Sequence, residues 1–381
     1  MGRRGSGEGS IYQRKDGRWV GVADLGYIEG RRRRKSYYGA TRASVQKKLA
    51  SAIRELSRGR LPVDDRLTVG DYLQRWLDST RANVRHRTWI RYEQYVRLHT
   101  SAITEVPIAH LRPEHLQQLY ASRLSAGASP SSVVHLRAVL HRALKQAERW
   151  DLVPRNVVAL TDGPRVARKE VRTLSAQEAR TLLDAARGDR LEALYVVALT
   201  SGLRQGELLG LQWSDIDLAA GTLQVRRSLE RNEWGGLATS ETKTARSRRM
   251  VPLTVRAVAA LRAHRIRQDE ERLRAGESWD VSDLVFATQL GKPLDPSNLI
   301  RRSFRPLLQA ARLERIRFHD LRHTVATLLL EQGIHPKVVA DLLGHSQVAI
   351  TLDVYSHVLP GLQRTTAQAF DRLLAPDDRA S

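Results

Sequence analysis

Two breaks cut this chain into three. "GRLPVDDR" (59–66) and "LVPRNVVALTDGPRVARKEVR" (152–172) combine proline with clustered charge and hold no apolar periodicity. The chain has 381 residues, too many for one ordinary hydrophobic core. The breaks predict a small first domain over 1–60, a second over 66–152, a linker over 153–172, and a third domain over 173–381.

The first segment reads as short strands: "GSIYQRK", "RWVGVADLGY" and "RRKSYYGA", with Asp16-Gly17 turning a hairpin. A helix follows, opened by Thr41, with Val45, Leu49, Ile53 and Leu56 at helical spacing. Residues 1–60 hold 16 Lys/Arg against 5 Asp/Glu, a net +11 that is half of the chain's +22. Tyr12, Trp19, Tyr27, Tyr37 and Tyr38 are interleaved with that charge. Arg31, Arg32, Arg33, Arg34 and Lys35 are therefore candidate DNA contacts on electrostatic footprint, or else a solvated hairpin turn.

The second segment is helical. Leu73, Trp76 and Leu77 pair at i, i+3, i+4 spacing, and two later helices open near Pro113 and Pro130. Four such helices make a bundle. Arg85, Arg87 and Arg91 punctuate it as candidate DNA contacts, beside other basic residues that solvate exposed faces.

The charge balance, with a pI near 10.9, points to a polyanion, most simply nucleic acid. No apolar run suits a bilayer, no basic amphipathic helix suits an anionic membrane surface, and the N-terminus has no apolar signal region. "MGRRGS" carries the Gly2 and Ser6 of a myristoylation signal, but within arginine-rich, DNA-directed sequence. With no cysteine there is no disulfide, thiolate nucleophile or Cys-ligated zinc. A cytoplasmic protein fits.

In the third segment Ser175 and Glu178 form a capping box that starts a helix. Four stretches then carry chemistry. "TSGLRQGELLGLQWSDID" holds Arg204 and Glu207; "TKTARSRRMVPL" holds Lys243; "FHDLRHTVATLLLEQG" holds His319 and Arg322 on one helix face, opposite a Leu321/Val325/Leu328/Leu329 stripe; "LLGHSQVAITLDVYSHV" holds His345 and Tyr355. Each has an ordinary explanation alone: an exposed ion pair, a turn lysine, a core histidine, a packed tyrosine with a wet hydroxyl. Together they fit metal-free phosphodiester chemistry. Arginines stabilise charge on the non-bridging oxygens, a tyrosine attacks, and a lysine protonates the leaving oxygen. His319 and His323, at i, i+4, suggest zinc, but H-E-x-x-H is absent and Arg322 sits beside them. No phosphate-binding Gly-rich loop suggests ATP. Neither metal nor cofactor is expected.

These stretches resemble the two motif boxes of the tyrosine recombinases, the phage-integrase family. "TSGLRQGELLGLQWSDID" looks like the first box; "HDLRH", "LLGH" and Tyr355 look like the second, with the lysine between them. The resemblance spans roughly 66–375; residues 1–60 more distantly resemble arm-site-binding domains of some integrases. It implies that Arg204 and Arg322 clamp the scissile phosphate, His345 hydrogen-bonds it, Lys243 protonates the leaving 5′-hydroxyl, His319 assists proton transfer at Tyr355, and Tyr355 forms a 3′-phosphotyrosyl link, with Glu207 supporting from behind. It implies a mainly α, multidomain fold: a small sheet-plus-helix domain, a helical core-binding domain and an α+β catalytic domain, clamped in a C around double-stranded DNA. It also implies a homotetramer on DNA, with residues 362–375 docking on a neighbour or else packing on their own domain, and makes a host DNA-bending protein and an excisionase plausible partners. A topoisomerase of type IB and a non-catalytic DNA-binding regulator are the alternatives.

Overall fold

The computed structural model describes residues 9–28, 31–57, 66–167, 172–232, 235–241, 248–345, 347–349 and 352, with the side chains of 25–28, 31–33 and 55–57 outside that description. Lys243, Tyr355 and residues 362–375 lie outside the described residues. The chain divides into two compact units, 1–168 and 169–381.

The first unit begins with an antiparallel sheet in the order β1 (Ser10–Gln13), β2 (Trp19–Ile28), β3 (Arg31–Gly39). Arg31 to Lys35 are not a solvated turn: they belong to β3, paired with β2 through a register running from Ile28–Arg31 to Ala23–Lys35. Helix α1 (Arg42–Ser57) starts where the Thr41 hydroxyl accepts from the Ser44 amide, 3.2 Å away. It buries Val45, Leu49 and Ala52 on one face of the sheet. A Cβ on Gly21 would stand 2.7 Å from Val45 Cγ1, so that close approach needs glycine.

Four helices follow: α2 (Val69–Thr80), α3 (His86–His99), α4 (Pro113–Ser125) and α5 (Pro130–Arg149). Tyr72, Leu73, Trp76 and Leu77 of α2 meet Leu116 and Leu119 of α4 and Leu136, Leu140 and Leu144 of α5 in one core. Helix α3 packs by partly buried Tyr92, Tyr95 and Val96, and its Arg85, Arg87 and Arg91 end are exposed. The stretch expected as extended linker does not start at once. Val157–Leu160 folds as a 3₁₀ turn that buries Val158 on the bundle, and Arg137 Nη2 of α5 donates to the Thr161 carbonyl at 2.8 Å. Buried apolar side chains and a cation holding the free carbonyl recruit this segment to the bundle despite its prolines.

The second unit is α+β. Helix α6 (Ala176–Ala185) opens with the reciprocal Ser175/Glu178 capping box. Helix α7 (Glu192–Ser201) is buried nearly all round, and Gly202 stops it in the left-handed conformation, φ 62°. Then come α8 (Gln205–Leu209), β4 (Ile216–Asp217), β5 (Thr222–Val225), the β6–β7 hairpin (Arg227–Arg231 and Leu237–Glu241) and β8 (Arg249–Pro252). Strands β4, β5 and β8 form one antiparallel sheet in that order. Helix α9 (Val255–Ala275) precedes α10 (Pro296–Leu299), a π turn over Ile300–Phe304, and α11 (Arg305–Ala310). Pro306 lacks an amide hydrogen, and the π turn just ahead of it is where the helix absorbs that loss. Helices α12 (Asp320–Glu331) and α13 (Pro336–Leu343) complete the described part. Leu194, Leu208, Leu261, Phe286, Phe304 and Leu321 sit in one core. Among the described residues no helix is long and apolar enough to cross a membrane.

Candidate active site

The site is built around the end of α13. Gly344 adopts φ 66°, so the chain reverses there; its amide donates to the Asp341 carbonyl at 3.0 Å and the His345 amide to the Ala340 carbonyl at 2.9 Å. That leaves the next carbonyls of the helix end to be satisfied from elsewhere. Three arginines take them in sequence. Arg249 Nε donates to the Leu342 carbonyl at 2.6 Å, Arg322 Nη2 to Leu343 at 2.7 Å, and Arg204 Nη2 to Gly344 at 3.2 Å. A helix C-terminus is the negative end of its dipole, so it gathers cations there.

Each arginine arrives on a different element. Arg204 is the N-cap residue of α8, just after the left-handed Gly202. Arg322 is on the first turn of α12, and its Nη1 also donates to the Gly202 carbonyl at 2.8 Å, which ties the two motif stretches together. The helix pattern placed Arg322 on a face opposite the core; in the fold it is 3% exposed, because α7 and the end of α13 cover that face and supply carbonyls to it. Arg249 opens β8.

Glu207 is 4% exposed and lies between two of these cations. Arg204 Nη1 reaches its Oε1 at 2.7 Å and the Arg204 amide its Oε2 at 3.0 Å; Arg249 Nη2 reaches Oε2 at 2.9 Å. Burial alone raises a carboxyl's pKa, but the Arg249 hydrogen bond and charge, with those of Arg204, outweigh it and hold Glu207 below the ordinary value.

The histidines share this field. His345 is pushed down to about 4 by burial, then by the Arg322 and Arg204 charges. His319, at the start of α12, is lowered by burial and then by Arg322. His323 lies one turn on, its ring edge-on to His319 at 5.0 Å, and is pushed down to about 4 by burial and then by His319. All three are neutral at neutral pH and offer nitrogen lone pairs or single N–H donors. Among the described residues no group of three or more His, Cys, Asp or Glu is placed to hold a metal ion.

Arg204, Glu207, His319, Arg322 and His345 thus belong to the second unit and converge around α13's end. Arg31–Lys35, Arg85, Arg87 and Arg91 belong to the first unit. Two residues escaped the sequence reading: Arg249, one arginine among many, and His323, set aside with the zinc pattern. The signal for Arg249 was its place at the start of the apolar "MVPL" strand, where a charge entering a core needs partners.

Three guanidinium groups thus gather at one helix end, two of them on one carboxylate, and neutral imidazoles stand beside them. Such a site defines a class: a multidomain, mainly helical protein whose second unit gathers arginines and neutral histidines at one helix end. Residues 172–361 match the model of the phage integrase family, and residues 68–125 match that of the phage integrase N-terminal SAM-like domain. The chain is 33% identical to a tyrosine recombinase XerC-like protein of Caldanaerobacter subterraneus over 88% of this chain and 90% of the relative. It is 32% identical to an integrase of Streptomyces ambofaciens over 97% of both. Among solved structures it resembles the Tn1549 transposon integrase in complex with a circular intermediate DNA (TM-score 0.66, 20% identity, 78% of this chain and 99% of that one). It also resembles a lambda integrase tetramer bound to a Holliday junction (TM-score 0.56, 20% identity, 92% and 96%). The chain belongs to the phage integrase family and is a tyrosine-type site-specific recombinase.

Proposed function

We propose that this protein cuts and rejoins double-stranded DNA at specific sites through a 3′-phosphotyrosyl intermediate, integrating and excising a mobile element. Arg204 and Arg322 hold the two non-bridging oxygens of the scissile phosphate, and His345 donates a hydrogen bond to the same group. The Tyr355 hydroxyl attacks phosphorus, its proton passing towards His319. The bond from phosphorus to the 5′-oxygen breaks, and Lys243 gives that oxygen its proton. The phosphodiester bond energy stays in the phosphotyrosine, so a 5′-hydroxyl of a second duplex reverses the step without ATP. Glu207 fixes Arg204. The residue 1–60 segment binds separate arm-type sites through Arg31, Arg32, Arg33, Arg34 and Lys35, while 66–152 tracks the core site with Arg85, Arg87 and Arg91. The active assembly is a homotetramer on two duplexes in the cytoplasm, assisted by a host DNA-bending protein and an excisionase.

The observation that carries this reading is the placement of Arg204 and Arg322, 118 positions apart, on the adjacent carbonyls of 343 and 344 beside His345. Two forked cations held so close suit one tetrahedral phosphate. The test mixes the full chain with nicked duplexes carrying candidate attachment sequences from the flanks of its gene, in EDTA and without ATP. A covalent protein–DNA band on a denaturing gel, lost in Tyr355→Phe, is expected. Tight binding with no band, or a band that survives Tyr355→Phe, refutes it.

A further inference from the structure

We propose that Arg249 is a positioning residue for strand cleavage: it holds Glu207 from behind, so that the charge of Arg204 stays available to the scissile phosphate. This rests on the reading above and adds to it a third arginine.

The geometry makes Arg249 a bridge. One edge of its planar guanidinium donates through Nε to the Leu342 carbonyl, and the Nη atoms donate to Glu207, at 2.9 Å to Oε2 and 3.4 Å to Oε1. Arg204 likewise spans Glu207 and the helix end, but takes the Gly344 carbonyl there. The two differ in exposure. The Arg249 side chain is 7% exposed, while that of Arg204 is 40% exposed, so Arg204 faces the open side and Arg249 backs the carboxylate. Space confirms the fit: a Cβ on Gly344 would come within 2.9 Å of Arg249 Nη1, so the chain reversal packs directly on this side chain.

The consequence is electrostatic. One carboxylate shared by two guanidinium groups leaves a net positive charge in the cluster. With Arg249 removed, the Glu207 carboxylate would be left to Arg204 and would neutralise the charge that the phosphate needs. Arg249 also begins β8 and lies six residues after Lys243 in the sequence. Lysine could not replace it, because a single ammonium cannot reach the helix-end carbonyl and both carboxylate oxygens with fixed directions.

The experiment uses full-length wild type, Arg249→Met, Arg249→Lys and Arg204→Ala on the trapping duplex, with either an ordinary scissile phosphate or a neutral methylphosphonate in its place. The neutral group has no charge for Arg204 to compensate. On the phosphate, Arg249→Met is expected to slow covalent-complex formation by about 10- to 100-fold, by analogy with the outer-shell partners that orient metal ligands, with DNA binding retained. Arg249→Lys should fall between it and wild type. On the methylphosphonate the deficit of all three variants should shrink. The ratio of the two rates within one variant cancels any misfolded fraction, so a poorly folding protein still gives a reading. Equal deficits on both substrates would mean that Arg249 only supports the fold, and no deficit on the phosphate would mean that it does not act; either overturns the proposal while wild-type cleavage leaves the recombinase reading standing. A wild type that forms no Tyr355-dependent adduct overturns both.

Discussion

Glu207→Gln isolates the charge at the centre of the arginine cluster. Glutamine keeps the shape of the side chain, and one oxygen can still accept from a guanidinium. Its amide nitrogen, however, must face an N–H of Arg204 or Arg249, where the carboxylate now accepts at 2.7 and 2.9 Å. Breaking a buried ion pair by removing one partner costs ~3–5 kcal/mol. Arg249 pays that in full because it is nearly buried; Arg204 is 40% exposed, and water recovers part of its share. About 3 kcal/mol is therefore expected at pH 7, the low end of that range. Urea unfolding of the full chain, followed through the transition of the second unit, measures it. A loss below ~1 kcal/mol, no more than one ordinary hydrogen bond, would refute the idea that Glu207 is the hub. The pH dependence adds a sign. The folded pKa of Glu207 lies below the ordinary 4.5, so its stabilisation is present above 4.5 and is lost as pH falls through the lowered folded value. The gap between wild type and Glu207→Gln should narrow on acidification below 4.5, and a gap that stays constant would contradict the assignment.

Other predictions concern the same corner. Gly202→Ala combines ~1–2 kcal/mol for a side chain at positive φ with ~1–3 kcal/mol for a Cβ only 2.6 Å from Leu343 Cδ2, so denaturant unfolding should show a loss of about 2–5 kcal/mol with impaired cleavage as the Arg322 anchor shifts. Arg322→Lys keeps the charge but cannot span the Gly202 and Leu343 carbonyls; covalent-complex formation on the trapping duplex should fall at least ~100-fold while DNA affinity changes little. In the free protein, NMR titration should find His345 and His323 protonating near pH 4, well below the ordinary 6.5. Because the unfolded chain takes up those protons first, they destabilise the fold as pH drops from 6.5 towards 4, and a bound phosphate group should move the His345 midpoint upward.

Much of this was legible in local sequence because helix ends are written in adjacent residues. Ser175 and Glu178 form their capping box three residues apart; Gly202 and Gly344 end helices because only a residue without a Cβ accepts φ above +60° cheaply. The order of Arg204, Lys243, His319, Arg322, His345 and Tyr355 pointed to phosphodiester chemistry as a set of residue types. Errors came where neighbours in space, not in sequence, decided. A solvated turn was one of the two readings left open for Arg31 to Lys35, beside DNA contact, and β2 removed it by pairing with them as a strand. Residues 157–160 read as linker by their prolines and charge, but the bundle offered Val158 a buried site.

The sequence by itself determined the periodicities, the helix stops and which side chains could do chemistry, since each depends on spacings of a few residues. Only the tertiary structure decided that Arg249, Arg322 and Arg204 would take the carbonyls of residues 342, 343 and 344 in turn, and that two of them would share Glu207. The three carbonyl bonds join residues 21 to 140 positions apart, and Arg249 lies 42 positions from Glu207; only the Arg204–Glu207 pair is local. Their value depends on burial, because a guanidinium excluded from water must find every partner in the surrounding protein, and no local spacing records where those partners stand.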